Sequence, residues 1–126
     1  MSDFRDIVGL TERPAGEGHD AVLTLRVEGR HLNAMGAVHG GVIATLVDSA
    51  MANAVSAALG EGRRGVTVAL NVTYLEGAAQ GDELDAVAQV RRAGGRIVVV
   101  EADVTRSGDG AAIAHAVATF APQRHD

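Results

Sequence analysis

Asn33, His39, Gly40, Gly41 and Asp48 fall within one short stretch, His31-Leu-Asn33-Ala-Met-Gly36-Ala-Val-His39-Gly40-Gly41-Val-Ile-Ala-Thr45-Leu-Val-Asp48. These are residue types that acyl transfer uses. Asp48 stands inside a run of Val, Ile, Leu and Ala, where an unpaired buried carboxylate is costly, so it must be partnered, neutralised or used. Its expected mid-helix position rules out capping as the reason for it. Gly40 and Gly41 open the same helix, where about four N–H groups lack intrahelical acceptors and the helix dipole is positive. Glycine lets a ligand approach that backbone closely, so the pair is a candidate oxyanion hole. His39 either caps the helix or touches substrate. Asn33 alone reads as a turn residue, and its spacing to His39 makes it a candidate second donor.

Geometry restricts how these groups cooperate. Eight residues separate Gly40 from Asp48, which is roughly 12 Å along a helix axis at 1.5 Å per residue. A carboxylate leaning toward the N-terminus recovers a few ångströms and still falls short of a carbonyl bound at Gly40. If both serve one reacting carbon, Asp48 must come from a second copy of the helix. The expectation is a two-fold dimer with antiparallel helices and two shared sites.

The elements that must position these residues are legible around them. A short helix over Phe4–Leu10 and a turn over Pro14–Gly18 are expected in an N-terminal extension over 1–18, and Ala21–Val27 alternates as a strand does. The helix from Gly40-Gly41 runs about five turns to Leu59-Gly60, where glycine is the expected stop. On a helical wheel Gly41, Thr45, Asp48 and Ala52 form one narrow stripe of small and polar residues. Four strand-like runs follow, Val66–Leu75, Glu83–Arg92, Arg96–Thr105 and Ala112–Ala121, divided by the glycine-rich segments Gly77–Gly81, Ala93-Gly94-Gly95 and Ser107–Gly110. Such separators read as hairpin turns, which makes the strands antiparallel neighbours in a meander. The result is a single α+β domain over 1–126, its long helix packed on one face of an antiparallel sheet.

Composition narrows the chemistry. Hydrophobic residues are 47% of the 126 and aromatic ones only 2%, so the core must be built from Val, Ala, Leu and Ile. Without Cys there is no thiol nucleophile, disulfide or thiolate metal site. All 11 basic residues are Arg, which removes Schiff-base and P-loop lysines. A net charge of −5 with so few aromatics argues against nucleic-acid binding. His39, Asp48 and Asn53 interrupt the one long apolar run, and no membrane partner is expected; the chain reads as soluble and cytoplasmic. His19, His31, His115 and His125 lack metal-ligand spacing, so neither a metal nor another cofactor is expected, and His115 reads as an outward-facing strand residue.

The motif His31-x-Asn33-x-x-Gly36-x-x-His39-Gly40-Gly41 followed by Leu46-x-Asp48 resembles that of the phenylacetate-degradation-type (PaaI-like) acyl-CoA thioesterases of the hotdog fold. Gly65-Val-Thr67-Val-Ala-Leu-Asn71-Val-Thr-Tyr74-Leu75 resembles the strand after the helix in the same family. The resemblance covers most of residues 20–121. It implies that the Gly40 N–H and the Asn33 side chain bind the thioester carbonyl. Asp48 of the facing subunit would then act as nucleophile or as general base for water, with Thr67 orienting that water and His39 ordering the helix start. It further implies an acyl-CoA substrate lying against Gly41, Tyr74 and Leu75, with a small aryl or medium-chain acyl group, and dimers that assemble to tetramers.

One departure bears on coenzyme A. The family often has a basic residue and Pro after the Tyr-Leu pair, whereas Glu76-Gly77 stand here, and Glu76 would repel a nucleotide phosphate if it faced the site. Arg91, Arg92 and Arg96, flanking the Gly94-Gly95 turn, are then the phosphate-binding candidates, with Arg63-Arg64 as a second possibility. No Gly-x-Ser-x-Gly elbow is present for a serine acyl-enzyme. Two other functions fit the same fold: a non-catalytic acyl-CoA binder or sensor, and a dehydratase acting on hydroxyacyl thioesters. Asp48 together with Asn33 favours hydrolysis over the sensor, and their arrangement suits carbonyl attack better than chemistry at a β-carbon.

Overall fold

A computed structural model describes residues 3–18 and 20–124, which leaves His19 and His125 outside the described residues. In chain order the elements are α1 (Phe4–Val8), β1 (Leu10–Arg13), β2 (Ala21–Arg26), a 3-10 turn (Gly29–His31), α2 (Gly40–Leu59), β3 (Arg63–Tyr74), β4 (Glu83–Ala93), β5 (Val98–Arg106) and β6 (Ala112–Arg124). The strands form one antiparallel sheet in the order β1-β2-β4-β5-β6-β3, wrapped around α2 in the hotdog architecture.

The helix forms because its apolar residues repeat at helical spacing. Ile43, Leu46, Val47, Ala50, Met51, Ala54 and Val55 are all buried, a stripe of the i, i+3, i+4, i+7 kind. Although α2 is long and apolar enough to cross a bilayer, that stripe is packed on the sheet. Its chain leaves through Gly60 at φ 83°, a conformation glycine adopts without strain. The sheet meets it with small side chains: Ala86, Ala88, Ala102, Ala114, Ala116 and Ala118 are buried on the face toward the helix. Phe120 and Leu84 fill the remaining space at either end of the sheet. The interior is thus close-packed almost without aromatics.

Two expectations about the strands are corrected. The strand expected over Val66–Leu75 does not neighbour β4; β3 pairs with β6 at the far edge, and β2 takes the place beside β4. The Gly77–Gly81 segment is part of a crossover, not a hairpin turn. Its backbone is spent on other elements, with Val38 N–H donating to the Ala78 carbonyl and Gly81 N–H to that of Val27. The N-terminal helix ends at Val8 instead of Leu10, because Gly9 takes a left-handed cap at φ 93°, and Leu10–Arg13 becomes edge strand β1. The meander holds for β4, β5 and β6.

The two sheet edges differ. Strand β1 is four residues long and carries Glu12 and Arg13, devices that blunt an edge. Strand β3 is twelve residues long and uncharged from Gly65 to Tyr74, with Val66 42% and Val68 59% exposed. A long, uncharged, apolar edge is a template for another strand.

Candidate active site

The loop before α2 is built by Asn33 and His31. The Asn33 Oδ1 accepts from the N–H groups of Met35 (2.9 Å) and Ala37 (3.2 Å), an Asx-type turn, while its own N–H donates to the Ala37 carbonyl at 2.7 Å. With the carbonyl oxygen so engaged, the side-chain amide Nδ2 has no partner among the described residues. His31 is buried: its Nδ1 accepts from Glu28 N–H at 2.9 Å and its Nε2–H donates to the Val8 carbonyl at 2.6 Å. It is a structural anchor for the loop.

At the helix start His39 is the N-cap, its Nδ1 accepting from Gly41 N–H at 2.8 Å. Its N–H donates to the His31 carbonyl at 2.7 Å. The Gly40 N–H has no acceptor among the described residues. Gly40 lines a cavity of about 390 Å³ together with Asn33, Ile43, Tyr74, Leu75 and Glu76. Gly40 and Asn33, each with one unspent donor, therefore line one cavity. These are the kinds of donor an oxyanion hole uses.

Asp48 is half-buried, not sealed in the core, and Thr67 Oγ1 donates to its Oδ1 at 2.7 Å. A β-bulge at Val68 makes this possible. The register with β6 slips between Thr67 and Ala69, so Gly65 and Thr67 before the bulge share the helix-facing side with Leu70, Val72 and Tyr74 after it. Glycine at 65 is required by close approach, since a Cβ there would lie 2.6 Å from Val55 Cγ1. At the other end of the strand the Tyr74 hydroxyl donates to the Gly40 carbonyl at 2.7 Å. The stripe of Gly41, Thr45, Asp48 and Ala52 stays at least partly exposed, free for a second helix.

The arginines are not gathered at Gly40. Arg91, Arg92 and Arg96 flank the β4–β5 hairpin, whose Ala93 and Val98 are level, across the sheet, with Phe120 and Thr67. Tyr74 and Gly40 sit at the opposite end, level with Ala114 and Val104. Within one chain these arginines belong to the Asp48 and Thr67 end. Gly94 closes the hairpin, its N–H donating to the Ile97 carbonyl at 3.0 Å, and Arg91 lies 3.5 Å from Glu101. Arg63 and Arg64 open β3 beyond the same end.

Glu76 is ion-paired and not a free anion, although the guanidinium it shares with Asp82 and Asp109 leaves the cluster net negative. Arg106, a residue that sequence reasoning passed over, pairs with Glu76 at 2.6 Å, with Asp109 at 2.9 Å and with Asp82 at 3.7 Å, and donates to the Gly77 carbonyl. The Arg106 guanidinium holds the Asp109 carboxyl down at about 2, helped by the Ala111 N–H, while the guanidinium itself is pushed further up by the same partners. This cluster clamps the crossover loop that forms one wall of the cavity. His115 faces outward as expected and pairs with Asp103 at 2.7 Å on the far face of the sheet.

Comparison with known proteins agrees with this geometry. The family model of the thioesterase superfamily matches residues 35–113. Human acyl-coenzyme A thioesterase 13 is 30% identical over 112 residues, 89% of this chain and 79% of its own. The solved structure of a conserved protein from Pseudomonas aeruginosa is 36% identical, with a TM-score of 0.88 over 98% of this chain and 95% of that one. The PaaI protein of the Escherichia coli phenylacetic acid degradation operon is 28% identical, with a TM-score of 0.82 over 95% and 82%. With its long helix, wrapped antiparallel sheet and unspent donors at the helix start, the chain belongs to the thioesterase superfamily, as a PaaI-like thioester hydrolase of the hotdog fold.

Proposed function

We propose that this protein hydrolyses an acyl-CoA thioester with a small aryl or medium-chain acyl group, releasing the free acid and coenzyme A from sites shared across a two-fold dimer. The observation that carries the reading is that Gly40 and Asn33 line one cavity, each with an unspent donor, the Gly40 N–H and the Asn33 Nδ2. They would receive the thioester oxygen as it gains negative charge, the point where preorganised donors lower a barrier most. The partner subunit's Asp48 either takes a proton from the water that attacks the carbonyl carbon or attacks that carbon itself. Collapse of the tetrahedral intermediate breaks the C–S bond and expels the thiolate: in the first case free acid forms at once and the proton held by Asp48 passes to the thiolate, and in the second the thiolate is protonated by water and a further water hydrolyses the Asp48 acyl anhydride to the acid.

The long uncharged edge of β3 supports the dimer, because two copies pairing there would bury Val66 and Val68 and satisfy both rows of backbone groups. Thr67 and Asp48 travel together in one protomer, 2.7 Å apart, as a unit offered to the other. Arg91, Arg92 and Arg96 share their end of the sheet and would take the phosphates of coenzyme A. The apolar lining from Val38, Ile43 and Leu75 suits the acyl group. A cytoplasmic setting and pairing of two dimers into a tetramer complete the proposal.

Thiol release from a panel of acyl-CoAs, with wild type and Asp48→Asn, tests it. Turnover by wild type and its loss in Asp48→Asn are expected. Full activity in Asp48→Asn would overturn the mechanism, and binding without thiol release by wild type would favour a sensor.

A further inference from the structure

We propose that Tyr74 is a positioning residue for the oxyanion donor, its hydroxyl fixing the glycine backbone that presents the Gly40 N–H. The inference rests on the reading above that this N–H receives the thioester oxygen. Two consecutive glycines at a helix start are conformationally soft, because neither has a side chain to restrict its dihedral angles. Softness at an oxyanion donor costs rate, since the N–H must already point where the charge develops.

Two bonds remove that softness. The Gly40–Gly41 peptide is gripped at its N–H by His39 Nδ1 at 2.8 Å and at its carbonyl by the Tyr74 hydroxyl at 2.7 Å. The preceding peptide is held through the His39 carbonyl, which accepts from Val42 N–H at 2.9 Å. The Gly40 N–H lies in the plane of that preceding peptide and remains unspent itself, while the Tyr74 and His39 bonds fix the next peptide and so the Gly40 dihedral angles that join the two. His39 supplies its grip from within the motif, whereas Tyr74 supplies the other from the end of β3, 34 residues away. The contact also bears on glycine at 40: a Cβ there would sit 3.2 Å from the Tyr74 hydroxyl and 3.3 Å from its ring carbon Cζ, so the ring would have to give by a few tenths of an ångström.

Tyr74→Phe keeps the ring and removes only the hydroxyl, so it separates positioning from packing. In thiol-release assays kcat is expected to fall about three- to tenfold, the rate equivalent of one ordinary hydrogen bond. KM is expected to stay within about twofold, as for a group that acts only on the transition state. Unchanged kcat, or a raised KM with kcat held, would overturn the proposal and make Tyr74 a substrate contact. Backbone 15N relaxation at Gly40 and Gly41 gives a readout independent of turnover: lower order parameters are expected in Tyr74→Phe, and identical ones would also overturn it. Absence of thiol release by wild type would instead strike the hydrolase reading, leaving the relaxation comparison to decide the role of Tyr74.

Discussion

Replacing Thr67 by Val removes one hydroxyl from the candidate site and keeps the side chain's shape. In the free protomer the lost bond is the 2.7 Å contact from Thr67 Oγ1 to Asp48 Oδ1. Thr67 is exposed and Asp48 half-buried, so water replaces the hydroxyl there, and folding stability is expected to change by less than about 1 kcal/mol. With substrate bound and a second subunit closed over the carboxylate, water is excluded and the bond has the value of one made to a charged group. That is about 1.5–3 kcal/mol, or roughly 10- to 150-fold in rate. The assay is kcat and KM for thiol release by wild type, Thr67→Val and Thr67→Ser, alongside denaturant melts. Val should lose rate without losing stability, and Ser should recover most of it because it retains the hydroxyl. A Thr67→Val enzyme within about twofold of wild-type kcat would refute the reasoning, as would Ser falling as far as Val.

Two further predictions concern the walls of the cavity. Asn33→Asp keeps the oxygen that accepts from Met35 and Ala37, so the loop should hold, but it replaces the amide donor with a negative charge; kcat should fall at least about a hundredfold, and a smaller loss would remove Asn33 from the oxyanion hole. The Arg106 clamp has a defined pH window. Asp109 is held at about 2, below its ordinary 3.8, chiefly by hydrogen bonding from Arg106, so its contribution to stability is full above about pH 4 and is lost as pH falls through about 2. Acid melts should show part of the loss in that window and less of it in Asp109→Asn; superimposable curves would contradict the pairing.

What was legible in the sequence follows from how local each signal is. Helix α2 could be placed to its ends because its apolar period, its His39 cap and its terminal Gly60 are all local. Strands β4, β5 and β6 alternate and are joined by short glycine-rich turns, so both existence and pairing could be inferred. The partner of β3 could not be, because the Glu76–Asp82 crossover only resembles a turn until Ala78 and Gly81 are seen bonded to other elements. Strand β1 was missed since Leu-Thr-Glu-Arg has no alternation and is a strand only through pairing with β2. In the candidate site, the residues near the helix start were found from spacing and resemblance. The bond between Asp48 and Thr67 depends on a bulge at Val68 that leaves no mark in composition. The Arg106 clamp joins carboxylates from two separate loops and could be seen only in space.

The central claim is that each reacting carbonyl is held by one subunit and met by Asp48 of the other. Subunit mixing between Asp48→Asn and Gly40→Pro tests it most directly. Proline at position 40 deletes the N–H donor, and the backbone accommodates it because a first helical residue needs no N–H and His39 already has the extended backbone, φ −67° and ψ 134°, that precedes proline; its Cβ crowds Tyr74, so the variant's folding is checked by its melt. Each variant alone should be inactive. In a random mixture half the dimers are heterodimers with one intact site of two, so activity should return to about a quarter of wild type. No recovery, with subunit exchange demonstrated by mass, would contradict the shared site.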